Sequence, residues 1–397
     1  MTQTPNTFDF IDAELEQIRD AGLLRSWRVS EAPTGPRLTI DGRQYDNFCS
    51  NNYLGLADDP EVIEAAQAAT RDYGAGSGAA RLICGTQRPV VELERELARF
   101  KQTEAALVFS SGYLANLGTV AALVGPEDAV IVDRLAHASL LDAARLSRAP
   151  LHVFRHNDAD SLAEQLERGH KFRRRLILVD GVYSMDGDIA SLGPIRELAE
   201  QHDAMLLVDD AHGTGAIGPD GRGALSHCGL QPGVPIIQMG TLSKALGSLG
   251  GFIAGERRLI DLLINRARTF IYDTALPAAA IGAARKSLEL IERQPERIAQ
   301  LQANAQHLRD EIGKMPLAQS ASPQAPASPT PIIPIILGDA DRAMQAAEQL
   351  RQCGIFVTGI RPPTVKRGAS RLRLTAMSSH TPEQLERLLE ALRELPL

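Results

Sequence analysis

From about residue 90 onward, short apolar runs alternate with helical patterns, and this rhythm restricts the available folds more than any other feature of the chain. The runs cover residues 105–109, 129–132, 151–154, 176–179, 205–208 and 236–238. Strands joined through helices line up mostly parallel, with the helices covering both faces of the sheet. A seventh run, 252–254, follows 236–238 too closely for a helical crossover. A parallel return needs about a dozen residues or more, so this strand is expected to run antiparallel to its neighbours. The expected class is α/β, with a mostly parallel seven-stranded sheet in a large domain.

The flanks read differently. Ile11, Leu15 and Ile18 recur at helical spacing, predicting an amphipathic helix that leads to Trp27. Residues 37–42 read as a short strand and turn. A long helical region is expected over 278–314, then an exposed proline- and serine-rich connection over 319–331. The remainder predicts a small α+β unit with strands at 332–337, 355–358 and 371–374 and a helix across 343–352. Its last helix opens with Thr381 as N-cap, Pro382 in the first turn and Gln384 completing a capping box. Leu385, Leu388, Leu389 and Leu392 give that helix one apolar face. The expected division is residues 1–45 as an N-terminal helix and strand segment, 46–285 as the large domain and 286–397 as the small one.

Composition excludes several classes of function. A net charge of −7 with no long basic block argues against nucleic acid as partner. Cys49, Cys84, Cys228 and Cys353 are far apart and form no CxxC, which suits a reducing compartment and offers no zinc framework. His152 and His156 on an extended segment would stand roughly 13 Å apart, too far to share a metal ion. The N-terminus lacks the basic start and apolar run of a secretion signal, and no apolar stretch approaches membrane-spanning length. A cytoplasmic protein with no membrane partner is expected.

The chemistry-bearing segments lie at or near the ends of the expected strands. Asp209 and His212 follow the 205–208 run, on the side where open α/β sheets collect ligands. Lys244 sits in a small-residue segment, 240–251, with Thr241 and Ser243 close by. A lysine amine condenses with an aldehyde, and a carboxylate holds a pyridinium nitrogen protonated, so Lys244 with Asp209 suits pyridoxal phosphate. Alone, Lys244 reads equally as a surface lysine in a glycine-rich turn. Ser111, Gly112 and Tyr113 open the helix after the 105–109 run, either as a phosphate-binding helix start or as an ordinary serine cap. His137 and Ser184 follow two further strands. Arg361, before two prolines, is either a rigid fork for a carboxylate or a surface arginine. Gly213, Gly215 and Gly218 match a dinucleotide fingerprint, but they run into turn residues 219–223 where such a fingerprint must open a helix. No Walker-type phosphate loop occurs.

Seven segments in order, SNNYLGL (50–56), SSGYLAN (110–116), HASLLDAA (137–144), DGVYSMDGD (180–188), VDDAHGTGAIG (208–218), GTLSKALGSLGG (240–251) and IRPPTVKRGASRLRL (360–374), resemble the α-oxoamine synthases. These are pyridoxal phosphate enzymes of fold type I, the aspartate-aminotransferase fold. The resemblance spans about residues 24–392. It implies that Lys244 is the Schiff-base lysine and proton-abstracting base, that Asp209 pairs with the ring nitrogen, and that His137 stacks on the ring. Ser184 and His212 would approach the ring oxygen. Ser111, Gly112, Tyr113 and Thr241 would hold the phosphate, with Thr274 supplied by the neighbouring subunit of a homodimer. Arg361 would grip the amino-acid carboxylate, with Arg25, Asn52 and Thr364 near the substrates.

Within the family, the segments at 208–218 and 360–365 most resemble the biotin-pathway branch. Its members condense L-alanine with pimeloyl-CoA or a pimeloyl-carrier-protein thioester, releasing CO2. The alternatives are a sister activity on glycine or serine with another acyl-CoA, and an aminotransferase. Ala80, Cys84 and Asp273 depart from the usual family residues, the first two near the expected acyl end.

Overall fold

The computed structural model describes residues 6–316 and 329–395. The connection expected over 319–331 lies, as far as residue 328, outside the described residues. A hairpin of β1 (Arg37–Ile40) and β2 (Arg43–Asn47) precedes the main sheet. That sheet contains β3 (Ala105–Phe109), β4 (Ala129–Asp133), β5 (Leu151–Phe154), β6 (Arg175–Asp180), β7 (Met205–Asp209), β8 (Ile236–Thr241) and β9 (Gly251–Gly255). Its order is β3-β9-β8-β7-β6-β4-β5. β9 runs antiparallel to both β3 and β8, and the remaining pairs are parallel. The antiparallel strand is therefore the one expected from its short connection.

Alternate residues of each strand enter opposite layers, as the pleat requires. Leu176 and Leu178 join one apolar cluster, while Ile177 and Val179 join the other. Parallel pairing carries the ends of β4, β6 and β7 to one edge of the sheet, which places Asp133, Asp180 and Asp209 there. Asp180 and Asp209 are direct register partners.

In the C-terminal unit, β10 (Ile332–Gly338) and β12 (Thr358–Ile360) flank β13 (Ser370–Thr375) in an antiparallel sheet. β11 (Ile355–Phe356) instead pairs parallel with β2. The strand expected over 355–358 is thus two strands in two sheets, divided at the buried Val357. An apolar run carries no record of which sheet each half joins. The helix expected over 278–314 is likewise two, Ala278–Arg293 and Glu296–Gly313. Pro295 explains the break, because it lacks an N–H and disfavours helical geometry at Gln294, whose φ is −126°. The final helix, Pro382–Arg393, has the expected capping box between Thr381 and Gln384. Gln384 and Arg387 donate to the buried Asp46 carboxylate at 2.7 and 2.5 Å, tying this helix to β2. Among the described residues, no helix is long and apolar enough to cross a membrane.

One buried and one half-buried ion pair hold the loops at the functional edge. Lys101 Nζ lies 2.9 Å from Asp210 Oδ2, with side-chain exposures of 0% and 1%. The ammonium also donates to Thr214 Oγ1 at 3.2 Å and to the Arg222 carbonyl at 2.6 Å, so its three protons all have acceptors. A Cβ on Gly213 or Gly223 would collide with the Asp210 carboxylate. Of the glycines that mimic a dinucleotide fingerprint, Gly213 therefore packs against a buried carboxylate, together with Gly223 beyond the motif. Nearby, His156 Nδ1 lies 3.0 Å from Asp133 Oδ1 and its Nε2 2.9 Å from Asp188 Oδ2. Burial works against the imidazolium, but the Asp133 and Asp188 carboxylates outweigh it and raise His156 to about 10.

Lys101→Met should cost about 3–5 kcal/mol in denaturant unfolding, because it leaves Asp210 as an uncompensated buried charge; a loss below about 1 kcal/mol would contradict this. His156 stabilises the fold as a cation, fully below its ordinary value of 6.5 and progressively less as pH rises through about 10. Thermal melts should accordingly show wild-type stability falling more between pH 6.5 and 10 than that of His156→Gln, and equal slopes would remove the imidazolium from the account.

Candidate active site

Lys244 lies in the loop between β8 and β9. Thr241 and Gly251 pair across the loop's base, so the ladder closes beneath it. Lys244 Nζ is 2.8 Å from His212 Nε2, and His212 Nδ1 is 2.6 Å from the Tyr53 hydroxyl. Tyr53 in turn lies 3.1 Å from Asn51 Oδ1, to which both terminal nitrogens of Arg373 donate at 3.4 Å. These contacts are consistent with one direction of donation: Lys244 to His212, His212 to Tyr53, Tyr53 to Asn51.

Burial pushes the Lys244 amine down to about 8; the Asp209 carboxylate opposes the shift and the Arg373 charge adds to it. Burial likewise holds His212 well below its ordinary value, with help from the charges of Lys244 and Arg373. A neutral His212 can accept from the lysine at one nitrogen while donating at the other. The lysine is poised to change protonation near neutral pH, as a nucleophilic or basic amine requires.

Asp209 is buried at the end of β7. Its Oδ2 accepts from Asn116 Nδ2 at 2.7 Å and its Oδ1 from the Ala211 N–H at 3.1 Å. The Asn116 amide also donates to Ser139 Oγ at 2.8 Å, and that hydroxyl lies 2.8 Å from His137 Nδ1. The His137 N–H donates to Asp180 Oδ1 at 3.0 Å. His137 caps the helix Ala138–Ser147 and is thus fixed by both its backbone and its ring.

Ser111 caps the helix Gly112–Leu123, its Oγ accepting from the Leu114 N–H. The N–H groups of Gly112 and Tyr113 have no partner among the described residues. A Cβ on Gly112 would stand 3.6 Å from Thr241 Oγ1, and one on Gly251 would stand 2.5 Å from the Gly112 nitrogen. Ordinary serine capping and two unpartnered amide donors, of the kind an anion takes, therefore share one helix start. The donor set fits pyridoxal phosphate: amides at the phosphate end, an anchored carboxylate, and a lysine beside a neutral histidine.

The other expected residues occupy varied positions. Ser184 follows β6 at the same edge of the sheet, and its carbonyl accepts from Arg373 Nε at 2.6 Å. The carbonyl of Thr274 accepts from Ser110 Oγ of the same chain at 3.1 Å, while the residue is exposed. Asn52 accepts from the Ala57 N–H and donates to Asp58, shaping the 50–58 turn. It also lines a cavity of about 390 Å³ beside Lys244, with Ser50, Asn51, Ser248 and Phe356. Arg361 donates to the Leu24 carbonyl at 3.0 Å, next to the exposed Arg25, and the Thr364 N–H closes a turn onto the Arg361 carbonyl. Sequence reasoning missed Arg373, Tyr53, Asn51, Asn116 and Asp180. A signal existed for Arg373: Arg371 and Arg373 alternate with Leu372 and Leu374, which puts two guanidiniums on one face of a buried strand. Asn116 is similarly a polar residue within a mostly apolar, buried helix.

The chain matches the model of the family described as aminotransferase class I and II over residues 44–392. It is 47% identical over 384 residues to the 8-amino-7-oxononanoate synthase of Symbiobacterium thermophilum, covering 96% of each chain. Among solved structures it is similar to serine palmitoyltransferase from S. paucimobilis with bound PLP–myriocin, with a TM-score of 0.90 and 32% identity. That match covers 97% of this chain and 96% of the other. It is also similar to 8-amino-7-oxononanoate synthase from Francisella tularensis, with a TM-score of 0.75 and 28% identity over 88% of this chain and 96% of that one. The fold expected from the motifs is thus the fold found, and the chain belongs to the class I and II aminotransferase family and, within it, to the pyridoxal phosphate-dependent α-oxoamine synthases.

Proposed function

We propose that this chain joins L-alanine to a pimeloyl thioester, carried by CoA or a carrier protein, with loss of CO2, giving 8-amino-7-oxononanoate for biotin synthesis. One observation carries the reading at the level of residues: Lys244 with an amine near 8, the neutral His212 and the anchored Asp209 meet at one edge of the sheet. When bound, pyridoxal phosphate supplies an aldehyde for the substrate amine and a cationic ring that spreads the electron pair left on the α-carbon.

Each residue then has a defined task. Asp209 would hold the ring nitrogen protonated, fixed for that purpose by Asn116 and the Ala211 N–H. His137 would lie against the ring, while Ser184 and His212 would face its oxygen. Ser111, Gly112, Tyr113 and Thr241 would hold the phosphate. Lys244 would take the α-proton of alanine and later return a proton to the same carbon. The electron pair released by the first transfer forms the bond to the thioester carbonyl carbon, and the thiolate leaves. The carboxylate then departs as CO2.

Two arginines compete for the alanine carboxylate. Arg373 is buried, lies within electrostatic reach of Lys244 and His212, and holds only long contacts to Asn51 through its terminal nitrogens. Arg361 lies beside Arg25 on the Leu24 carbonyl. We assign the carboxylate to Arg373 and place Arg361, Arg25 and Thr364 at the substrate entrance, with Asn52 on the cavity wall. A homodimer is part of the same proposal. The helix Asp9–Asp20 buries none of its residues, and Trp27 is 90% exposed and Ile83 80%. Burying such surface against a second copy is favourable. It would also give the exposed Thr274 a phosphate in the neighbouring site.

Purified holoenzyme given L-alanine and pimeloyl-CoA should release free thiol and form 8-amino-7-oxononanoate. Faster thiol release with glycine or serine and another acyl-CoA would reassign it to a sister activity. Arg373→Lys should raise the alanine KM by about tenfold or more, and Arg361→Ala should raise it less. The reverse ranking in steady-state kinetics would move the carboxylate to Arg361.

A further inference from the structure

The loop over residues 181–188 brings Ser184 to the site, and the C-terminal unit grips its far side. Arg373 donates to the Ser184 carbonyl at 2.6 Å. Arg371 Nη1 donates to the Met185 carbonyl at 3.0 Å and to Asp186 Oδ1 at 2.6 Å. Thr330 Oγ1 donates to the Gly187 carbonyl at 2.6 Å. The carbonyls of Ser184, Met185 and Gly187 and the Asp186 carboxylate are therefore held by β13 and by the residue two before β10. Gly187 has a φ of +71°, and a Cβ there would stand 2.5 Å from the Ile332 carbonyl, so the contact is close as well as bonded. On the opposite side, the His156 imidazolium holds Asp188.

The two arginines of β13 differ in what they reach. Arg373 extends to Asn51 and the charges around Lys244. Arg371 is 4% exposed, and its hydrogen bonds go to the loop behind Ser184 and to the Ala369 carbonyl. A buried guanidinium with a carboxylate and two carbonyls is costly to disturb and geometrically exact in what it fixes.

We infer that Arg371 is a positioning residue for the reaction: through Met185 and Asp186 it fixes the main chain that presents Ser184. The inference rests on the proposed role of Ser184 beside the ring oxygen. Methionine at 371 matches the length but donates nothing, so Met185 and Asp186 lose their partner. Lysine keeps the charge without the planar fork.

The test is a double-variant cycle in the holoenzyme, read by turnover and by the pH midpoint of the bound cofactor's visible absorption, which responds to donors at the ring oxygen. Arg371→Met is expected to lower kcat by about tenfold with the thioester KM nearly constant, and to move the midpoint in the same direction as Ser184→Ala. Placed on Ser184→Ala, Arg371→Met should add little, because both changes act on one contact. Arg371→Lys should fall between wild type and Arg371→Met. Should Arg371→Met fail to fold, Asp186→Asn weakens the same pair from its more exposed end and should move the midpoint the same way by less. Fully multiplicative losses in the double variant, or a midpoint unmoved in both Arg371→Met and Asp186→Asn, would overturn the inference while leaving Ser184 in place. An inert Ser184→Ala would defeat the role of Ser184 and this inference together.

Discussion

Ionisable groups withdrawn from water must be answered by partners, and that constraint organises the whole edge of the sheet. Parallel pairing delivers Asp133, Asp180 and Asp209 to the same side, and Asp210 follows directly. Each carboxylate has a different solution. Asp133 has an imidazolium and Asp210 an ammonium, while Asp209 has two amide donors. Asp180 accepts from the His137 N–H, and burial together with the Asp209 charge raises its carboxyl well above the usual range. The structural pairs are complete within the chain. The site is where completion depends on something bound.

The division between sheet and C-terminal unit follows from the same logic. Arg371 and Arg373 stand on one face of β13, where apolar packing alone would have put leucines. Arg371 is met by the Asp186 carboxylate and the Met185 carbonyl, and Arg373 by the Ser184 carbonyl and, at longer range, by Asn51 beside Tyr53. Contacts between the two parts of the molecule are therefore polar and directional where they approach the chemistry. Apolar clusters carry the rest of the packing.

Much of this was legible in the residues. The strand rhythm, the reversed direction of β9 and the capping box at Thr381 are local patterns, each with a local physical cause. Lys244, Asp209 and His212 could be read from motifs because their neighbours are constrained by the same chemistry. Other features were illegible for identifiable reasons. Val357 separates strands of two different sheets, and a short apolar run holds no information about its pairing partner. The glycines after β7 look like a nucleotide fingerprint until Lys101, more than a hundred residues away, is seen to meet the Asp210 carboxylate against which Gly213 packs. Tyr53, Asn51 and Asn116 act through long-range hydrogen bonds, and sequence spacing says nothing about those.

The ladder between Thr241 and Gly251 has a consequence for how the site comes apart. The segment bearing Lys244 is stitched at its base into the middle of the main sheet, whereas the segment bearing Ser184 is held largely by a separate body of structure. Partial opening that loosens the C-terminal strands would set Ser184 adrift while the amine kept its address. The amine rides on a loop rooted in the main ladder, and the serine on one braced from the side.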